Sequence, residues 1–208
     1  MADPIAAALR AGLGRLVRGG LRGIWLRGTL PAGPFVWAAN HHSWWDPFVA
    51  SAVLDRPAAL LMRQDNLIRY AFVRRLGVFG AHEPRVGVRY LRAGRVLVIF
   101  PEAQLRPAGP IGPLHGGAAW YARQASVPLV AVAVRVAIRG HQAPEAYASV
   151  TTVEPPATTE RLAPELSANL SYVDDLLGSA DPREPLDGFR CVLRGKRSWD
   201  ERLARRSR

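Results

Sequence analysis

Apolar residues along this chain fall into a few distinct patterns. Over residues 4–27 they recur at three- and four-residue steps, as Ile5, Leu9, Leu13, Leu16, Val17, Leu21 and Ile24. At 100° per residue they cover about 160° of a helical wheel, with Arg15, Arg18 and Arg22 on the other side, which predicts an amphipathic helix. Arg10 falls on the apolar side, and Gly12, Gly14, Gly19 and Gly20 weaken the helix. Such a helix packs on its own domain or lies in a membrane surface with its arginines among head groups, and the two uses are compatible. Shorter apolar runs follow at 35–39, 58–62, 96–100, 129–134 and 149–153. The third, VLVIF, is apolar throughout, as expected of a parallel strand covered on both faces. Helices are expected over 47–54, 66–76, 118–124 and 163–177. Asp46 before Pro47 reads as an N-cap with proline at the first helical position. Residues 101–117, PEAQLRPAGPIGPLHGG, are too rich in Pro and Gly for regular structure, and a long loop at a strand end is usually functional or disordered.

Strands alternating with helices, without internal repeats, predict an α/β fold: a single layered domain with a mainly parallel central sheet flanked by helices, plus the N-terminal amphipathic helix. One domain over 1–208 is expected, with an amphipathic segment at 1–30, the catalytic core at 35–153 and a C-terminal helical and basic tail at 154–208, the tail itself running from 190.

Composition narrows the chemistry. The chain has 208 residues, 49% of them hydrophobic, enough to bury a full core. Its single cysteine, Cys191, excludes an internal disulfide and any multi-cysteine zinc site, and suits a reducing cytosol. Net charge is +11, carried almost wholly by arginine, since Lys196 is the only lysine. That field attracts polyanions, so nucleic acid and an anionic membrane surface are both candidate partners. Nucleic acid is disfavoured: the basic C-terminal stretch offers only Trp199 after Phe189 for base stacking, and no recognition motif is present. No apolar run reaches the roughly 20 residues of a bilayer span, so no transmembrane helix is expected. The first residues lack the basic-then-apolar order of a signal peptide, which places the chain on the cytoplasmic side.

The densest chemistry lies in NHHSWWD, Asn40 to Asp46, between a strand and a helix. Open α/β sheets hold ligands at such turns. His41 and Asp46 fit a general base with the carboxylate that orients it, a metal site, or ordinary turn polarity; no ligand spacing favours the metal. No GxSxG nucleophile elbow is present, so a covalent acyl-enzyme is not indicated. Glu102 directly follows VLVIF, and parallel strands deliver their carboxyl ends to one edge, so His41 and Glu102 are expected to converge.

Taken together these segments resemble the glycerolipid acyltransferase superfamily, over roughly residues 35–137. Asn40, His41, Ser43 and Asp46 match its Asn-His-x-Ser-x-x-Asp block; Phe100, Pro101, Glu102 and Ala103 match Phe-Pro-Glu-Gly; Gly117 and Ala118 open the next helix at the family spacing; and VPLVAVAV, Val127 to Val134, matches the last block. The resemblance implies His41 as catalytic base, Asp46 as its partner, Glu102, Arg85 and Arg106 in acceptor binding, and Asn40, Ser43 and Pro101 in support. It further implies acyl transfer from acyl-CoA or acyl carrier protein to the hydroxyl of a lipid acceptor, no cofactor and no metal, at the cytoplasmic face of a membrane. Departures concern the basic contacts. Gln104 and Leu105 replace a Thr-Arg pair, Arg106 comes one place later, His115 holds a usual lysine position, and the segment between Arg85 and Phe100 is short. A phosphate needs fixed cationic donors, so a non-phosphate acceptor such as a glycosylated carotenoid or lyso-ornithine lipid is an alternative. A basic membrane- or nucleic-acid-binding protein without catalysis is the alternative of another class.

Overall fold

In the computed structural model, residues 3–54 and 56–203 are described. The elements in chain order are α1 (Pro4–Gly20), β1 (Gly23–Arg27), β2 (Val36–Ala39), α2 (Asp46–Val53), β3 (Ala58–Met62) and α3 (Gln64–Arg69), then a 3-10 turn (Ala71–Leu76), β4 (Val78–Gly80), α4 (Pro84–Arg92) and β5 (Val96–Ile99). They continue with α5 (Gly117–Ala125), β6 (Leu129–Ala137), β7 (Glu145–Thr152), α6 (Thr159–Ser179), β8 (Arg190–Arg194) and α7 (Trp199–Leu203).

The strands form one sheet in the order β4-β3-β5-β2-β6-β7-β1-β8. Only β6 with β7 and β1 with β8 pair antiparallel; the other neighbours are parallel. Strand alternation divides the core. Trp37, Ala39, Val96, Val98, Val130 and Val132 face the layer of α1 and α2, where Val17, Val49, Ala50 and Val53 meet them. Val36, Ala38, Leu97, Ile99 and Ala131 face α4, α5 and α6 through Leu91, Ala118, Ala122 and Leu162. Both faces are covered, which is why β2, β3 and β5 carry no charged residue.

Several expectations are corrected. The first helix stops at Gly20 rather than continuing to 27, and Ile24 belongs to β1, not to the helical stripe. Gly195 lets the chain cross there, since a Cβ on it would lie 2.0 Å from the Leu21 carbonyl oxygen. The 66–76 helix breaks at Tyr70 into α3 and the 3-10 turn, and the last predicted strand begins at Glu145. Residues 190–203 of the expected basic tail form β8 and α7; its end, 204–208, lies outside the described residues. Trp45 holds the N-cap position of α2 without a side-chain hydrogen bond, and Asp46, expected there, is instead the first helical residue.

Candidate active site

The register of the central strands assembles the site. Ala38 of β2 sits opposite Ile99 of β5, and both strands run the same way, so His41 and Glu102 each lie three residues beyond one shared rung. On the other side Ala38 pairs with Ala131 of β6. Asn40, fully buried, closes that junction: its Nδ2 donates to the Val134 carbonyl at 3.0 Å and its Oδ1 accepts the Val134 N–H at 2.7 Å.

Asp46 is 1% exposed and turns back over the loop it follows. One oxygen, Oδ2, accepts the backbone N–H groups of His42 and Ser43, both at 2.8 Å, and stands 3.0 Å from Nδ1 of His41. An ionised carboxylate only accepts, so Nδ1 carries the proton and Nε2 is left as the basic nitrogen. The imidazole stacks on Phe100, ring centroids 4.4 Å apart, and its side chain keeps 22% of its surface exposed. The Ser43 hydroxyl accepts the Trp45 N–H at 3.1 Å and shapes the turn.

Glu102 is buried and joins the two loops. Oε2 accepts the His41 N–H at 2.9 Å, Oε1 accepts the Gly112 N–H at 3.0 Å, and Arg106 Nε lies 3.5 Å from Oε1. Arg106 in turn donates its backbone N–H to the His41 carbonyl at 2.8 Å. The backbone of His41 is therefore held on both sides by the loop after β5. A Cβ on Gly112 would lie 2.7 Å from Nε of Arg106, so a larger residue there would displace the guanidinium. Pro101 accepts the His115 N–H at 2.8 Å and pulls the far end of the loop inward. Ala103, where the resembled motif has glycine, takes φ 57°, a left-handed conformation costly for a residue with a Cβ.

Beside this junction is a cavity of about 340 Å³ lined by Arg63, Glu102, Ala103, Gln104, Arg106, Pro113 and His115. His41 is not among its walls; it adjoins the cavity through Glu102 and Arg106. The structure thus brings Asn40, His41, Ser43, Asp46, Pro101, Glu102 and Arg106 together. Arg85 is exposed near the start of α4, the helix that follows the edge strand β4 in sequence, and is not among the residues that line the cavity. Arg63, not anticipated from sequence, stands in that wall instead. It directly follows β3, so the rule that sites gather at strand carboxyl ends would have found it. Among the described residues no group of His, Cys, Asp and Glu is placed to hold a metal ion.

A mixed, mainly parallel sheet covered by helices, with an imidazole–carboxylate pair at the carboxyl end of a central strand, defines an α/β enzyme fold with its polar groups gathered at one edge. The sequence profile of the family described as Acyltransferase matches residues 26–135, and the chain belongs to that family. It is an acyltransferase. Among solved structures, that of the 1-acyl-sn-glycerophosphate (LPA) acyltransferase PlsC from Thermotoga maritima is similar, with a TM-score of 0.60 and 16% identity, covering 85% of this chain and 83% of that one. At that identity the likeness concerns the fold. Comparison with curated protein sequences gives no match.

Proposed function

We propose that this acyltransferase moves a fatty acyl group from acyl-CoA or acyl carrier protein to the hydroxyl of a lysophospholipid-like acceptor, with His41 as general base and no cofactor. The observation that carries the reading is the 3.0 Å contact between His41 Nδ1 and the buried Asp46 carboxylate. It leaves Nε2 to take the acceptor's proton as the acceptor oxygen attacks the thioester carbonyl. The tetrahedral intermediate collapses, the C–S bond breaks, and the leaving thiolate recovers the proton from His41. Asp46 steadies the imidazolium between these steps, while Glu102 and Asn40 hold the turn in place.

The cavity supports an anionic acceptor head group. Arg63 and Arg106 line it, with His115 beside them, and their guanidinium groups suit a phosphate better than the uncharged sugar of a glycosylated carotenoid. In this reading Glu102, in the cavity wall, holds the loop through its bonds to the His41 and Gly112 N–H groups. Arg85 is left without a role.

Attachment to an anionic membrane surface, on the cytoplasmic side, belongs to the same reading. Ile5 and Leu16 stay exposed on α1, and Ile68, Tyr70 and Phe72 on the α3 segment and 3-10 turn, close to Arg69, Arg74 and Arg75. Arg75 reaches Asp3 at the start of α1 at 2.9 Å, which ties the two groups together. Among the described residues no helix is long and apolar enough to cross a membrane.

The test is incubation with acyl-CoA and lysophosphatidate, or a total lipid extract, followed by mass spectrometry for the species that gains one acyl group. His41→Ala should abolish the product, and Arg63→Met should lower it selectively for phosphate-bearing acceptors. Undiminished product from His41→Ala would end the proposed mechanism. Tight, salt-dependent DNA binding without thioester consumption would favour the non-catalytic alternative.

A further inference from the structure

The mechanism above makes no use of the second histidine of the motif, yet His42 is the more deeply buried of the two, with 3% of its side chain exposed. It lies four residues beyond Ala38, and Arg135 lies four beyond Ala131, the β6 partner of Ala38, so the register sets them side by side. Nη1 of Arg135 makes a very close hydrogen bond to Nδ1 of His42. A guanidinium can only donate, so Nδ1 is the acceptor and the ring is the neutral tautomer with its proton on Nε2. That nitrogen faces Oε2 of Glu102 at 3.5 Å, a contact longer than a good hydrogen bond. The rest of the guanidinium is fully employed. Nε and Nη2 grip Asp174 of α6 at 2.6 and 2.7 Å, and Nη2 also donates to the Gly109 carbonyl at 2.9 Å. One side chain therefore ties β6, α6, the loop after β5 and the histidine motif together.

We infer that Arg135 is a positioning residue for acyl transfer: it keeps His42 neutral beside Glu102, so that the carboxylate remains free to hold the His41 backbone. The inference rests on the reading of His41 as base. The groups facing His42 are Asp46 from α2, Glu102 from the loop after β5, with Arg106 at its other oxygen, and Arg135 from β6, itself partly neutralised by Asp174 from α6. Burial is the largest influence and pushes the His42 pKa down; Glu102 pulls it up, Arg135 pushes it down again and Asp46 pulls it up. Without Arg135, burial alone would oppose the pull of the two carboxylates toward the imidazolium. A charged His42 would draw Oε2 off the His41 N–H and shift the base.

Arg135→Gln, Arg135→Lys, and Arg135→Gln combined with His42→Gln are to be compared with the parent enzyme from about pH 5.5 to pH 9, a range that spans ordinary histidine titration. Two readouts are taken: kcat/KM, and the ring nitrogen signals of His42 by NMR, assigned with His42→Gln. In the parent, His42 keeps its proton on Nε2 and takes up a second one only at lower pH than in Arg135→Gln. In Arg135→Gln it gains a proton on acidification, and kcat/KM falls by about tenfold per pH unit below that point. Adding His42→Gln removes this extra acid limb. Arg135→Lys retains a positive charge beside the ring and so keeps the parental profile, at a reduced kcat because it cannot grip Asp174 and Gly109 together. An Arg135→Gln enzyme that is slower by one factor at every pH, with His42 still neutral, would overturn the inference. A full-rate His41→Ala enzyme would instead overturn the reading of the base, so the two failures are distinguishable.

Discussion

Replacing Asp46 by asparagine changes the shape of the site hardly at all and removes its charge. Oδ2 of Asp46 holds three N–H groups, those of His42 and Ser43 at 2.8 Å and Nδ1 of His41 at 3.0 Å. With the amide oxygen in that place all three bonds survive, each weakened by about 1 kcal/mol on becoming neutral. The amide nitrogen then occupies the position of Oδ1, a buried atom with no hydrogen-bond partner. With the amide turned round, its NH₂ faces two backbone donors and donates to Nδ1, forcing the imidazole proton onto Nε2, where it blocks base catalysis. The expected loss of stability is therefore about 3 kcal/mol, or about 6–12 °C in melting temperature for a chain of this size. The expected loss in kcat is about 10²–10⁴, the usual contribution of a general base. Thiol release from acyl-CoA in the presence of acceptor gives kcat, and calorimetry gives the melt. An Asp46→Asn enzyme with kcat within about tenfold of the parent would refute the pairing of Asp46 with a catalytic His41.

Arg63→Met should raise KM for a lysophosphatidate acceptor by about tenfold or more, the worth of a charge-assisted contact, and leave kcat and the KM for the thioester nearly unchanged; equal effects on both substrates would remove Arg63 from the acceptor site. Ala103→Gly relieves a left-handed Cβ at φ 57° and should stabilise the fold by about 0.5–1 kcal/mol, read as a rise of a few degrees in the melt. Glu201 supplies a pH dependence. Burial pushes its carboxyl up, but the Ser198 N–H, Arg22 and the Ser198 hydroxyl outweigh this and hold its pKa at about 2, below the ordinary 4.5. Its stabilisation is thus complete above the unfolded value and lost as pH falls toward 2. Denaturant unfolding should show Glu201→Gln weaker than the parent by about 2 kcal/mol at neutral pH, with the gap closing in acid; a constant gap would contradict the pairing.

The sequence spelled out the parallel strands and their loops because those strands are buried on both faces and read as unbroken apolar runs, as in VLVIF. The turn between β2 and α2 was legible for a related reason: the site depends on local spacing, five residues from His41 to Asp46, and on strand ends that a parallel sheet must align. What escaped is set by tertiary contacts. GIWLR of β1 continues the helical spacing of α1 by coincidence, and only its pairing with β7 and β8 makes it a strand. VFG of β4 is too short to stand out, and α4 buries little beyond Gly87 and Leu91. Arg135 looked like one arginine among many. Its significance comes from a register match between β2 and β6 across nearly a hundred residues, which no local pattern encodes. Arg85 was drawn in by motif order, and it does not line the cavity.

The placement of β1 between β7 and β8 means that it finds its sheet neighbours only after β2 to β6 have been made. While the polypeptide is still emerging from the ribosome, β2, β3, β4, β5 and β6 have all their sheet partners except β7 available, whereas GIWLR must wait for residues beyond 144. Until then it is an unpaired apolar segment, available to chaperones or to strand exchange with another nascent copy. Without Arg190–Arg194 the apolar β1 would replace the arginine-flanked β8 as the edge strand of the sheet, a site for aggregation.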